Sequence, residues 1–184
     1  MQSHLLSNSA LFYLANHKFL LVKKYILDQA LVTRKLQRMA LEIAERNTDA
    51  DHIILAGIKD NGSVIAAKLL PLLQQECSCP VDVIALSLDK KHPGDITIEP
   101  ATNFDNKVVV MIDDVANSGK AMTYALKAFL SSYPKKIQTL VLVERTHKAF
   151  PVQADYVGLS IATTLQEHIF VETAGEEITG AYLL

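Results

Sequence analysis

The chain has 184 residues, 49% of them apolar, and its 18 Lys and Arg against 20 Asp and Glu give a formal net charge of −2. That balance suits one globular domain with a sizeable core and excludes a disordered chain or one whose overall charge would draw nucleic acid. The only cysteines, Cys77 and Cys79, stand one residue apart, and the six histidines show no H-x-x-x-H or H-E-x-x-H spacing; reduced thiols are expected, and no transition metal held by protein ligands.

Residues 1–25 are read as an N-terminal extension or arm and residues 26–184 as the main domain. The apolar clusters Leu11–Leu14 and Phe19–Val22 are interrupted by Asn16, His17 and Lys18, far short of the roughly 20 residues of a membrane span. Without a basic start or a small-residue cleavage site, a cytoplasmic chain is expected. Asp28 suits the cap of a helix to about Arg46, with Val32, Leu36, Met39, Ala40 and Ile43 as its apolar stripe. The opposite face carries Arg34, Lys35, Arg38 and Arg46, a solvated surface or, alternatively, a nucleic-acid contact.

Ile53 to Gly57 reads as a short strand, Ile58 to Gly62 as a loop, and a helical pattern follows from Ser63, with Pro71 expected to kink or split that helix. Val81 to Leu88 is another strand, and the polar stretch Asp89 to Lys107 a loop or short hairpin. Val108 to Met122 reads VVVMIDDVANSGKAM. Five apolar residues in a row suit a strand buried on both faces, and Asp113 and Asp114 are expected where it leaves the sheet. The small residues Ala116, Asn117, Ser118 and Gly119 let the backbone turn and present N–H groups, and a helix is expected from Gly119 to about Ser132. Ile137–Val143, Ala154–Gly158 and His168–Glu172 complete the strands. Strands alternating with helices predict an α/β fold with a doubly wound parallel sheet, whose ligands sit at the carboxyl ends of the strands.

Vicinal acids beside a turn of small residues fit a ribose 5-phosphate held at both ends, since sugar hydroxyls want carboxylate acceptors and a phosphate wants N–H donors. A plain Asp pair at a strand end, as in Mg²⁺ phosphatases or receiver domains, leaves that turn unexplained.

The stretch resembles the phosphoribosyl-diphosphate (PRPP) motif of the type I phosphoribosyltransferases. GIKDNG, Gly57–Gly62, resembles the family's pyrophosphate loop, closest to that of the uracil phosphoribosyltransferases that double as pyrimidine-operon attenuators. VLVERTHKAFPVQADYVGLSI, Val141–Ile161, resembles the same branch. The resemblance runs in order from about Ile26 to Glu172 and implies a parallel sheet with a small hood formed by a C-terminal loop and strand. It implies that Asp113 and Asp114 are catalytic, holding the ribose hydroxyls and reaching Mg²⁺ through water. It assigns the 5-phosphate to Ala116, Asn117, Ser118, Gly119, Lys120 and Ala121, and pyrophosphate to Lys59, Asp60, Asn61 and Gly62. Lys90, Lys91 and His92 would belong to a flexible loop closing over PRPP, and Arg145, Val157 and Gly158 would meet the nucleobase; Arg145 could also brace its loop, bind pyrophosphate or form a surface ion pair.

Three departures stand out. Asn117 replaces an aspartate of purine-salvage relatives, Glu144 replaces their lysine, and Ala121 stands where many relatives place Thr. The closing loop is also shorter than in the attenuators and lacks their arginine-containing start. The implied activity is transfer of ribose 5-phosphate from PRPP to a nucleobase, uracil first, with release of pyrophosphate, by a homodimer with Mg²⁺. The alternatives are a PRPP- or UMP-sensing regulator acting through RNA with little turnover, and a degenerate member serving as a structural partner.

Overall fold

The computed structural model describes residues 22–88, 95–164 and 166–184. In chain order it holds β1 (Lys24–Asp28), α1 (Gln29–Arg46), β2 (Ile53–Ile58), α2 (Asn61–Glu76), β3 (Val81–Ser87) and β4 (Thr97–Glu99). Then come β5 (Val108–Ala116), α3 (Lys120–Ala125) with a 3-10 turn over Leu126–Phe129, β6 (Lys136–Arg145), β7 (Tyr156–Ile161), β8 (Ile169–Ala174) and β9 (Glu177–Leu183). The central sheet runs β4-β3-β2-β5-β6-β7. Its strands are parallel except β4, which pairs antiparallel with β3.

Because side chains alternate along a strand, each central strand feeds two cores. Ile53, Leu55, Val108, Val110, Ile112, Leu140 and Leu142 pack with Leu36, Met39, Ile43, Ile65, Leu69 and Leu73 of α1 and α2. Ile54, Ala56, Val109, Met111 and Val141 pack on the other face with Phe104, Met122 and Phe129. This is the α/β, doubly wound sheet expected from the strand and helix pattern, and each large aliphatic side chain buried in it contributes about 1.5–3 kcal/mol.

Asp28 caps α1 as its short acceptor side chain suggests: its backbone is extended and its carboxylate accepts from Leu31 N–H at 2.7 Å. Asp28→Ala is expected to lower the unfolding free energy by about 1 kcal/mol, read as a lower urea midpoint with an unchanged slope; an unchanged midpoint would mean the cap is idle.

Several sequence expectations need correction. Asp113 and Asp114 do not lie beyond the sheet: β5 continues to Ala116, because β6 is long enough to pair Asp113 with Val141, Val115 with Val143 and Ala116 with Glu144. Asp113 is only 2% exposed. The helix expected from Gly119 to Ser132 ends at Ala125 and tightens into the 3-10 turn. Pro71 does not split α2, which runs unbroken from Asn61 to Glu76; the carbonyl its ring leaves unpaired belongs to Ala67, on the exposed side. The hood is larger than a loop and a strand. It is a three-stranded antiparallel sheet, β1-β9-β8, and the boundary placed between residues 25 and 26 falls inside β1.

Cys77 and Cys79 are free thiols. Burial pushes the Cys77 thiol up from its ordinary value, which keeps it protonated at neutral pH. Among the described residues no helix is long and apolar enough to cross a membrane.

Candidate active site

The carboxyl end of β5 opens into a cavity of about 240 Å³ lined by Asp113, Val115, Ala116, Asn117, Ser118, Gly119, Lys120, Ala121 and Met122. One buried acid and the whole of the small-residue turn therefore face one space. The turn is built by its backbone. Asn117 N–H donates to Val115 O at 3.2 Å, and Gly119 O accepts from both the N–H and the hydroxyl of Thr123 at 3.0 and 2.9 Å. Ser118 O accepts from Ala149 and Phe150 N–H, each at 3.0 Å, which pins the turn to the loop after β6. Gly119 is required here: its φ is +83°, and a Cβ would sit 3.3 Å from Phe150 O.

Asp114 belongs to the other face of β5, by strand alternation. Its Oδ1 accepts from Val115 N–H at 2.9 Å and its Oδ2 from Asn61 Nδ2 at 2.7 Å. Asn61 also donates to Val171 O at 3.2 Å and accepts from the Thr173 hydroxyl at 3.3 Å. One amide thus ties the start of α2, the second acid and the hood strand β8 together. Gly62 lets α2 approach β5 this closely, because a Cβ there would lie 2.6 Å from Ile112 O and 3.3 Å from Asp113 Cα. The Lys59–Asp60 peptide is cis; Lys59 N–H donates to Leu86 O at 2.8 Å, and its ammonium meets Glu99 at 3.3 Å across an exposed pair.

At the end of β6, Arg145 is 8% exposed, so it is not a surface ion pair. Its Nη1 donates to Asn117 Oδ1 at 3.0 Å and its Nη2 to Thr164 O, while its Nε is buried without a hydrogen-bond partner among the described residues. Glu144 is held by the Lys148 ammonium and the Ser160 hydroxyl, each at 3.0 Å. A second cavity, about 410 Å³, is lined by Glu144, Thr146, Lys148, Phe150, Pro151, Val152 and Gln153.

The structure brings together Asp113 and Ala116–Ala121, joins Asp114 to Asn61, and joins Arg145 to Asn117. Val157 and Gly158 line neither cavity. Val157 O accepts from Arg38 at 2.6 Å, and Gly158 backs onto Leu142, whose carbonyl would lie 2.4 Å from a Cβ. Lys90, Lys91 and His92 lie outside the described residues. Sequence reasoning missed Phe150, Lys148, Thr173 and the bridging role of Asn61. Of these only Lys148 carried a signal, an opposite charge four residues after Glu144.

The basic face of α1 is also partly committed. Arg38 binds Val157 O and pairs with Glu42, while Arg46 donates to Asp155 O at 3.1 Å and lies 5.0 Å from the centre of the Tyr156 ring. These two arginines brace α1 against β7.

A family model described as "Phosphoribosyl transferase domain" matches residues 23–175. Among curated proteins, the "Bifunctional protein PyrR" of Fusobacterium nucleatum is 36% identical over 159 residues, covering 80% of this chain and 89% of that protein. The protein of the same name from Haemophilus ducreyi is 33% identical over 162 residues, covering 83% and 90%. Among solved structures, the hypoxanthine phosphoribosyltransferase of Trypanosoma cruzi superposes with a TM-score of 0.67 at 16% identity, over 76% of this chain and 82% of that one. A hypoxanthine-guanine phosphoribosyltransferase of Bacillus anthracis gives 0.63 at 21%, over 76% and 83%; at these identities the likeness is one of fold.

Proposed function

This chain belongs to the phosphoribosyltransferase family, and from that premise we propose that it transfers ribose 5-phosphate from PRPP to a ring nitrogen of a nucleobase, uracil first, and releases pyrophosphate. The observation that carries the reading is the single cavity that joins the buried acid of β5 to the turn Ala116–Ala121.

In this reading Asp113 and Asp114 accept hydrogen bonds from the ribose hydroxyls, and their charge stabilises the positive charge that develops at C1 as pyrophosphate departs. The backbone of the turn holds the 5-phosphate through its N–H groups, and Lys120 adds charge at its rim. The loop Lys59–Gly62 receives pyrophosphate beside Asp114, to which Asn61 ties it. Rate comes from orientation: sugar, phosphate and leaving group are fixed by segments that the ladder and Gly62 hold at the carboxyl ends of the central strands. Closure by Lys90, Lys91 and His92 would exclude water from C1.

The donor set suits Mg²⁺, a hard cation that keeps waters and takes carboxylate oxygen. Asp113 and Asp114 would reach it through water, and when bound it would neutralise diphosphate charge. A homodimer, as the resemblance implies, completes the proposal.

A second reading is favoured by the relatives' name, "Bifunctional protein PyrR": a PRPP- or UMP-sensing regulator that works through RNA with little turnover. The pairing of Arg38 and Arg46 with internal carbonyls leaves Arg34 and Lys35 as the remainder of the basic face of α1, a modest footprint for phosphate contacts.

The test is PRPP-dependent pyrophosphate release across uracil, orotate, xanthine, hypoxanthine and guanine. Activity with hypoxanthine and guanine is expected to be at least about 100-fold below that with the best pyrimidine. Asn117 cannot exchange a proton with the purine ring as a carboxylate does, and Glu144 is itself an acceptor where an oxo group needs a donor, the neighbouring Lys148 ammonium being engaged by it at 3.0 Å. Efficient inosinate formation would overturn the pyrimidine preference.

A further inference from the structure

We propose that Arg145 is a positioning residue that fixes the Asn117 amide with its two N–H bonds toward the cavity, so that this wall donates to an acceptor oxygen of the ligand. The inference rests on the transferase-site reading above and adds to it the hydrogen-bond sense of one wall.

Arg145 is rooted in the ladder on both sides. Ala116 pairs with Glu144, Arg145 pairs with Ile161, and Thr146 N–H donates to Ile161 O at 3.2 Å. Arg145 is buried as a residue, and its guanidinium forks between two loops, one nitrogen on Asn117 Oδ1 at 3.0 Å and one on the carbonyl of Thr164. Thr164 is itself held, its N–H donating to Glu167 at 2.8 Å. A guanidinium has donors only, so the atom of Asn117 that meets it must be the amide oxygen. The flipped amide would set donor against donor beside a buried cation. Asn117 is exposed and lines the cavity; with its oxygen taken, what it has left to offer is N–H. An aspartate at the same position would also accept from Arg145 but would show the cavity a second acceptor, so the pair sets the sense of the wall.

The acceptor oxygen belongs either to a base carbonyl or to a phosphate, and calorimetry with UMP, uridine and ribose 5-phosphate separates the two. Asn117→Asp is expected to weaken UMP on the order of 100-fold, and Asn117→Ala roughly 10-fold. A parallel loss on uridine identifies the base carbonyl, and a parallel loss on ribose 5-phosphate the phosphate. Arg145→Met should weaken UMP roughly 5- to 10-fold alone but less than about 2-fold in an Asn117→Ala background, because its effect runs through Asn117. A merely structural arginine would weaken binding equally in both backgrounds, and that result overturns the proposal. Arg145→Lys, which keeps the charge but not the fork, carries the same comparison if the Met variant does not fold. UMP affinity unchanged in Asn117→Asp also overturns it. A wild type that binds none of the three ligands defeats the transferase-site reading and this inference with it; a wild type that binds them while the variants stay indifferent defeats only this inference.

Discussion

Replacing both acids of β5, Asp113→Asn with Asp114→Asn, is expected to abolish PRPP binding, a loss of at least about 100-fold, while the melting temperature falls by less than about 8 °C. The two carboxylates are adjacent in sequence but face opposite sides of the strand. Asp113 lines the cavity, and Asp114 meets the start of α2 through Asn61. Asparagine keeps the shape of each side chain and one acceptor oxygen, so the local bonds from Asp114 N–H to Asp113 Oδ1 at 3.0 Å and from Val115 N–H to Asp114 Oδ1 survive. What disappears is the charge that ribose hydroxyls and the developing cation at C1 require. The amide created at position 114 also meets the donor face of Asn61, at a structural cost of about 1 kcal/mol. Calorimetry showing the double variant binding PRPP as tightly as wild type would remove these residues from the site.

Gly119→Val is expected to weaken phosphate binding by about 100-fold and to lower stability by about 1–3 kcal/mol, whereas Lys120→Ala should weaken binding only a few-fold. A β-branched residue at φ +83° is strained, and the new side chain would press on Phe150 O, 3.3 Å from its Cβ. Since Ser118 O holds Ala149 and Phe150 N–H, a shift there moves the turn and the loop after β6 together. Lys120 offers a partly exposed charge that solvent and salt screen. Dissociation constants for ribose 5-phosphate in the opposite order would mean that the lysine, and not the backbone, holds the phosphate.

The elements that were legible in the sequence are those whose signal is local. Val108–Ile112 and Leu140–Val143 are apolar, β-branched-rich runs that suit central strands, and the stripe Val32, Leu36, Met39, Ala40 and Ile43 is the buried face of α1. The turn after the acids was legible because it depends on small residues at fixed positions, whereas the loop expected over Ile58–Gly62 shrinks to Lys59 and Asp60, since β2 runs to Ile58 and α2 already starts at Asn61. The end of β5 was not, because a ladder is made of backbone groups and continues through Asp113 and Asp114 wherever a partner strand is long enough. Nor was the hood: the ladder that unites β1 and β9, such as Lys24 opposite Leu183, pairs residues far apart in sequence. The links that organise the site, Asn61 to Asp114 and Val171, and Arg145 to Asn117 and Thr164, likewise cross distances in sequence that no pattern encodes. For Arg145 the sequence left a nucleobase contact, a loop brace, a pyrophosphate ligand and a surface ion pair open, and its burial and its bonds to Asn117 and Thr164 make it a brace in the fold.

The most direct measurement is pyrophosphate release from PRPP with Mg²⁺ and uracil, set beside calorimetric PRPP binding on the same preparation. The account predicts both: PRPP bound, and pyrophosphate released only when base is present. PRPP bound with no pyrophosphate released for any base would contradict the transferase and leave the sensing reading in its place.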